Sequence, residues 1–152
     1  MAGIRGKNTR PEIAIRRALH RKGFRYRLHA THIPGKPDLY FKKYRAALFV
    51  HGCFWHGHDC PLFKVPATRT SFWKSKIASN RNRDAVVEKA IKDARLRHAT
   101  VWECAFRGRG QLGLEETVRR LSLWLKSPRK SVEIRGRSKH ITLKSEPPRR
   151  KS

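Results

Sequence analysis

The eleven residues Val50-His51-Gly52-Cys53-Phe54-Trp55-His56-Gly57-His58-Asp59-Cys60 hold two thiols, three imidazoles and two large aromatic rings. Thiolate and imidazole are the donors that a tetrahedral zinc site needs. Cys53, His58 and Cys60 offer three of them, and Cys104 is the remaining cysteine of the chain. Three cysteines cannot all pair with one another, and no apolar signal-peptide block precedes them to favour disulfides, so a structural zinc is the expected reading. The spacings are those of neither four-cysteine sites nor zinc fingers, and buried free thiols with solvated histidines are the competing reading.

Asp38 is the second place where a metal ion could act. It opens a short apolar run after Gly35-Lys36-Pro37, twelve residues before Val50. Hard cations take oxygen donors, so a carboxylate next to backbone carbonyls at a neighbouring strand tip can hold Mg²⁺ against a scissile phosphate. Alone, Pro-Asp also begins ordinary turns.

These groups need a scaffold, and the sequence predicts one. Thr9-Arg10-Pro11-Glu12 reads as a helix start with a capping box; Ile15, Ala18 and Leu19 recur on one face, and Gly23 ends the helix. Phe24 to Leu28 alternates as a half-buried strand, and Asp38 to Phe41 forms a second short run. Ala46 to Val50 is unbroken in its apolarity, as a central strand covered on both faces would be. After the loop from His51 to Thr70, a long helix is expected over roughly 71–95, with Val87, Ile91 and Ala94 on one face. Ala99 to Cys104 reads as a strand, and Leu114, Val118, Leu121 and Leu125 mark an amphipathic helix. The order is that of a mixed α/β fold. A folded body over 1–126 is expected, followed by a basic, mostly disordered tail over 127–152 with one short strand near Ser131 to Ile134.

Thirty-seven Lys and Arg against eleven Asp and Glu leave a net charge of +26. From Lys126 onward there are ten basic and two acidic residues, so the remaining body still carries +18. A polyanion is the natural partner of such a body, and a phosphate backbone supplies one. On charge alone a ribosomal or histone-like packaging protein fits equally well. No stretch has the length of a membrane span, so no membrane partner is expected and the cytoplasm, in association with the nucleoid, is the expected location.

Longer motifs narrow the choice. Gly35 to Asp38, Phe49 to His56, Lys64 to Thr70, Phe72-Trp73 and Val101 to Ala105 resemble the very-short-patch repair (Vsr) endonuclease family over about Ile4 to Leu125. The resemblance implies a restriction-endonuclease-like core of the PD-(D/E)XK type, a mixed central sheet flanked by helices, and a structural zinc. It implies a Mg²⁺-dependent endonuclease that nicks one strand 5′ of the thymine in a T·G mismatch, the product of deaminated 5-methylcytosine. By matching position, Asp38 and the Val50 carbonyl would hold Mg²⁺, His56 would be the general base, and Asp84 would orient its imidazole. His51 would contact the phosphate or assist the leaving group, and Glu12 would lie near the metal, a role that competes with its place in the capping box. Phe54, Trp55 and Trp73 would form a wedge that opens the duplex beside the mismatch, with Lys64 and Arg69 as further DNA contacts. The chain is expected to act as a monomer, with the basic tail as a backbone clamp.

Two other readings compete. A general restriction-type or repair nuclease of the same fold would lack T·G specificity. A non-catalytic zinc-containing nucleic-acid-binding protein would leave Asp38, His56 and Asp84 without a task.

Overall fold

A computed structural model describes residues 9–137. Helix α1 (Arg10–Arg21) begins where the Thr9 hydroxyl accepts a hydrogen bond from the Glu12 backbone N–H, with Pro11 in the first turn, where a missing N–H removes no helix hydrogen bond. Strands β1 (Arg27–Leu28), β2 (Leu39–Phe41) and β3 (Ala46–His51) follow, then helix α2 (Thr70–Asp93), strand β4 (Arg97–Trp102), helix α3 (Leu114–Leu125) and strand β5 (Ser131–Ile134). The five strands form one sheet in the order β1-β2-β3-β4-β5. The first three are antiparallel, whereas β3–β4 and β4–β5 are parallel, with α2 and α3 as the crossover connections that parallel pairing requires.

Period-two alternation sends the strands' side chains to two cores. Leu39, Phe41, Ala46, Leu48, Ala99, Val101 and Ile134 meet Ile15 and Leu19 of α1 and Val118, Leu121 and Leu125 of α3. On the opposite face Tyr40, Ala47 and Phe49 meet Ala30, Ile33 and Ile91. The unbroken apolar run of β3 is therefore covered on both sides, as its composition predicts. Only Ile77 and Ile91 of the 24-residue α2 are buried. Along the rest of that face the fold leaves a cleft of about 480 Å³, lined among others by His51, His56, Asp84, His98 and Trp102.

Two boundaries differ from the sequence expectation. The strand expected from Phe24 shrinks to Arg27–Leu28, because Phe24 turns into the core against Phe41 and Tyr44, with ring centroids 6.4 and 5.7 Å away. The strand expected over Ala99–Cys104 begins earlier, at Arg97, and ends at Trp102, leaving Cys104 on a short 3₁₀ turn (Glu103–Ala105). Arg97 can enter the sheet because its guanidinium donates to the carbonyls of Trp124, Leu125, Ser127 and Arg129, at and just beyond the end of α3, where carbonyls lack helix partners of their own turn. The short strand expected near Ser131 to Ile134 is present as β5, and it joins the sheet by pairing Ala99 with Val132 and Val101 with Ile134. The rest of the segment read as a disordered tail, 138–152, lies outside the described residues. Among the described residues no helix is long and apolar enough to cross a membrane.

Candidate metal centre and active site

Beyond His51 the chain coils tightly: Gly57 N–H donates to the Phe54 carbonyl at 3.2 Å and His58 N–H to the Cys53 carbonyl at 2.9 Å. Gly57 has φ +60°, and a Cβ there would lie 2.7 Å from Ile77, so the turn between His56 and His58 requires glycine. The coil faces Cys53 and His58 inward. Their donor atoms are 3.4 Å apart, and Cys104 Sγ lies 3.6 Å from the same His58 Nδ1. With Cys60, all four ligating atoms fall within 4.8 Å of one another. The cysteines are free thiols. A hydrogen bond from the Cys53 thiol pulls Cys104 down, while the same contact and burial push Cys53 up, and burial pushes Cys60 up. The cluster thus favours one thiolate and resists more until a cation shares the charge. Soft donors, tetrahedral number and burial fit a structural metal.

A second cluster stands where β2 meets β3. Asp38 Oδ2 accepts a hydrogen bond of 2.6 Å from the Val50 backbone N–H. Glu12, only 1% exposed, turns its carboxylate to His29 Nε2 at 2.9 Å and Arg16 Nη1 at 3.3 Å. Glu12, His29 and Asp38 bring their donor atoms within 4.8 Å of one another. Burial raises Asp38 to about 7, opposed by the Val50 N–H and reinforced by the neighbouring Glu12 carboxylate. Two carboxylates so close need a proton or a cation between them. The competition over Glu12 resolves by atom: its backbone N–H binds the Thr9 cap, and its side chain joins Asp38. His29 belongs to no motif in the sequence. Its backbone N–H donates to the Asp38 carbonyl at 3.2 Å, a pairing that only the β1–β2 register reveals.

On the cleft side, the His51 and His56 rings stack 3.8 Å apart at 6°. His56 Nδ1 lies 2.6 Å from Asp84 Oδ2, across from α2. Burial and the neighbouring His56 lower His51 to about 3, so it is a neutral imidazole at physiological pH. Its Nδ1 has no hydrogen-bond partner among the described residues. The two groups are adjacent rather than merged. Val50, which Asp38 binds, packs toward the α1 side, and its neighbour His51 points into the cleft. Trp102, which stands out in the sequence only as part of a motif, meets His51 and His56 edge-on at 5.2 and 6.0 Å and stacks on His58 at 3.8 Å.

Phe54, Trp55 and Trp73 form one edge-to-face cluster with centroids 5.1 to 5.7 Å apart. All three are half-buried. Asn80 of α2 holds the Trp55 carbonyl at 2.8 Å, fixing the loop against the helix. Phe72, beside Trp73, is 44% exposed, and the Arg69 guanidinium sits over its ring at 4.3 Å. Lys64 is exposed on the same loop.

The chain is similar to known proteins. The family described as DNA mismatch endonuclease Vsr matches residues 1–62. The chain is 39% identical to the DNA mismatch endonuclease Vsr of Escherichia coli (strain K12) over 141 residues, 93% of this chain and 90% of that one. It is 47% identical to a type II nicking enzyme of Xanthomonas oryzae pv. oryzae over 112 residues, covering 74% of this chain and 82% of the relative. A type II nicking enzyme of Neisseria meningitidis serogroup A is 38% identical over 109 residues, 72% of this chain and 78% of its own.

Proposed function

The chain belongs to the Vsr family of DNA mismatch endonucleases, and we propose that it nicks one DNA strand 5′ of the thymine in a T·G mismatch, with Mg²⁺ as the catalytic ion. The observation that carries the reading is the His56–Asp84 pair, 2.6 Å apart, set beside the strand end that Asp38 grips from the other side. A general base needs an orienting partner and an acceptor nitrogen left free, and Asp84 on Nδ1 leaves Nε2 for the proton of water. As His56 takes that proton, the water oxygen bonds to phosphorus, and the scissile P–O bond breaks with its electron pair passing to the leaving sugar oxygen, which takes a proton from water.

Asp38, the Val50 carbonyl and Glu12 form the hard-donor side that would hold Mg²⁺, an ion that supplies charge neutralisation at the phosphate when bound. His51, neutral because it is buried, would meet the phosphate through an uncharged N–H rather than as a cation. Cys53, His58, Cys60 and Cys104 would hold a structural Zn²⁺. Phe54, Trp55 and Trp73 would enter the stack beside the mismatch, where the base step is least costly to open. Lys64 and Arg69, on the loop that leads into α2, would contact phosphate, and the protein would act as a monomer on duplex DNA. The body's charge supports this, since each neutralised phosphate releases counterions.

The test is direct. Labelled duplexes carrying T·G or C·G at one position are incubated with protein and Mg²⁺, and cut positions are mapped. A single nick 5′ of the thymine in the T·G duplex alone is expected. Equal cutting of both duplexes leaves a general nuclease of this fold, and no Mg²⁺-dependent cutting of either leaves a non-catalytic nucleic-acid-binding protein.

A further inference from the structure

We propose that residues 133–137, just beyond the body expected from sequence, form a clasp over the metal centre, with Gly136 and Arg135 as its positioning residues. The inference rests on the reading of the Cys53-His58-Cys60-Cys104 cluster as a metal site. Four contacts carry it. The Gly136 backbone N–H donates to Cys104 Sγ at 3.3 Å. Arg135 Nη2 donates to the carbonyl of Asp59, the residue between His58 and Cys60, at 2.6 Å. Trp102 Nε1 donates to Glu133 Oε2 at 2.6 Å, and the Trp102 ring is the one stacked on His58. Arg137 N–H donates to the Gly110 carbonyl at 2.8 Å, which ties the segment to the loop between the Cys104 turn and α3.

Each contact acts on a different part of the cluster. An N–H aimed at a thiolate draws charge from the sulfur and fixes its direction, the role that outer hydrogen bonds play around ligated metals. The hold on the Asp59 carbonyl fixes the spacing of His58 to Cys60. The Glu133–Trp102 bond fixes the plane against which the His58 ring rests. Gly136 must be glycine for this: a Cβ there would press into the Cys104 carbonyl oxygen. The anchor is firm, since Ile134, the last residue of β5, is 1% exposed.

The clasp and the metal should therefore be thermodynamically linked, each holding the other. The experiment uses the full-length, zinc-loaded protein and reads zinc affinity and release against a colorimetric chelator, without any DNA. Gly136→Ala and Arg135→Gln are expected to weaken zinc retention roughly 10- to 100-fold, the usual worth of such outer contacts. Arg135→Lys, which keeps a cationic donor, is expected to recover part of the loss. Ile15→Val, in the core on the α1 side, is expected to lower the melting temperature without changing zinc release, which separates a clasp from general loosening. Zinc retention indistinguishable from wild type in folded Arg135→Gln overturns the proposal, whether or not Gly136→Ala folds. A wild-type protein that holds no zinc overturns the metal reading and the clasp together.

Discussion

Around β3 the chain gathers two donor sets of opposite character, and their settings differ as much as their chemistry. The soft set, Cys53, His58, Cys60 and Cys104, draws on the β3–α2 loop and the turn after β4, with three of its four residues buried. The hard set, Glu12, His29 and Asp38, draws on α1 and the ends of β1 and β2, and only Glu12 of its three residues is fully buried. A closed thiol site has no room for substrate and suits a metal that holds structure. A carboxylate site open to one side can admit a phosphate oxygen. On the proposed function, the same strand end would separate holding from reacting, and the separation can be tested by removing one set at a time.

The largest effect is expected from Cys104→Ala. Structural zinc binding is worth on the order of 10 kcal/mol or more in small zinc domains, so the variant should lose zinc and melt far below wild type. Elemental analysis and thermal melting check this; a zinc-free variant that melts like wild type would reduce the cluster to ordinary buried thiols. Asp38→Ala should do the reverse. Zinc content and DNA affinity stay, while cleavage falls by roughly 10³-fold or more, the scale of several kcal/mol of charge stabilisation. Cleavage by Asp38→Ala at the wild-type rate would remove the hard set from the reaction.

Next in size is His56→Ala, expected to slow cleavage roughly 10²- to 10⁴-fold in single-turnover assays with zinc content unchanged. A smaller effect is expected from the double change Phe54→Ala with Trp55→Ala. Each lost stacking contact is worth roughly 1–3 kcal/mol, so T·G binding should weaken more than binding to a paired duplex at the same salt concentration. Both rings lie between Cys53 and His58, two of the proposed zinc ligands, so zinc must be assayed alongside. Equal losses on the two duplexes would make the rings core residues.

Much of the fold is legible in the sequence where burial alone decides it. The unbroken Ala46–Val50 run and the α3 periodicity depend on local composition, and both elements stand where composition puts them. The soft donors are legible too, because few residue types bind such a metal and the chain has only three cysteines. What the sequence hides is what tertiary pairing creates. His29 acquires its place from the β1–β2 register, and Arg97 enters a strand only because α3 ends beside it. Gly136 looks like one glycine in a basic segment until β5 carries it to Cys104. The Glu12 conflict was legible as a conflict, but a linear motif cannot show that cap and carboxylate use different atoms of one residue.

The smallest and most discriminating effect is the pH dependence of stability, because the two donor sets should carry opposite signs. Asp38 titrates at about 7 when folded and near 3.8 when unfolded. Between those values the native state holds a proton that the unfolded chain has released, so stability without Mg²⁺ should fall as pH rises from about 4 to 7. Mg²⁺ favours the ionised carboxylate and so should abolish that decline, stabilising the protein more at pH 7 than at pH 5. The soft set runs the other way: its thiols must lose protons to bind zinc, so zinc-linked stability should grow with pH. His51 adds to that upward trend over about pH 3 to 6.5, since its folded value is depressed and the unfolded imidazole charges first. The net curve mixes these contributions, and Asp38→Asn separates them. Melting the zinc-loaded wild type and Asp38→Asn across this range, each without Mg²⁺, should give a difference that shrinks or reverses as pH rises, in favour of the variant. Parallel curves for the two proteins would mean that Asp38 does not titrate in this window, and the proton shared with Glu12 would have to be abandoned.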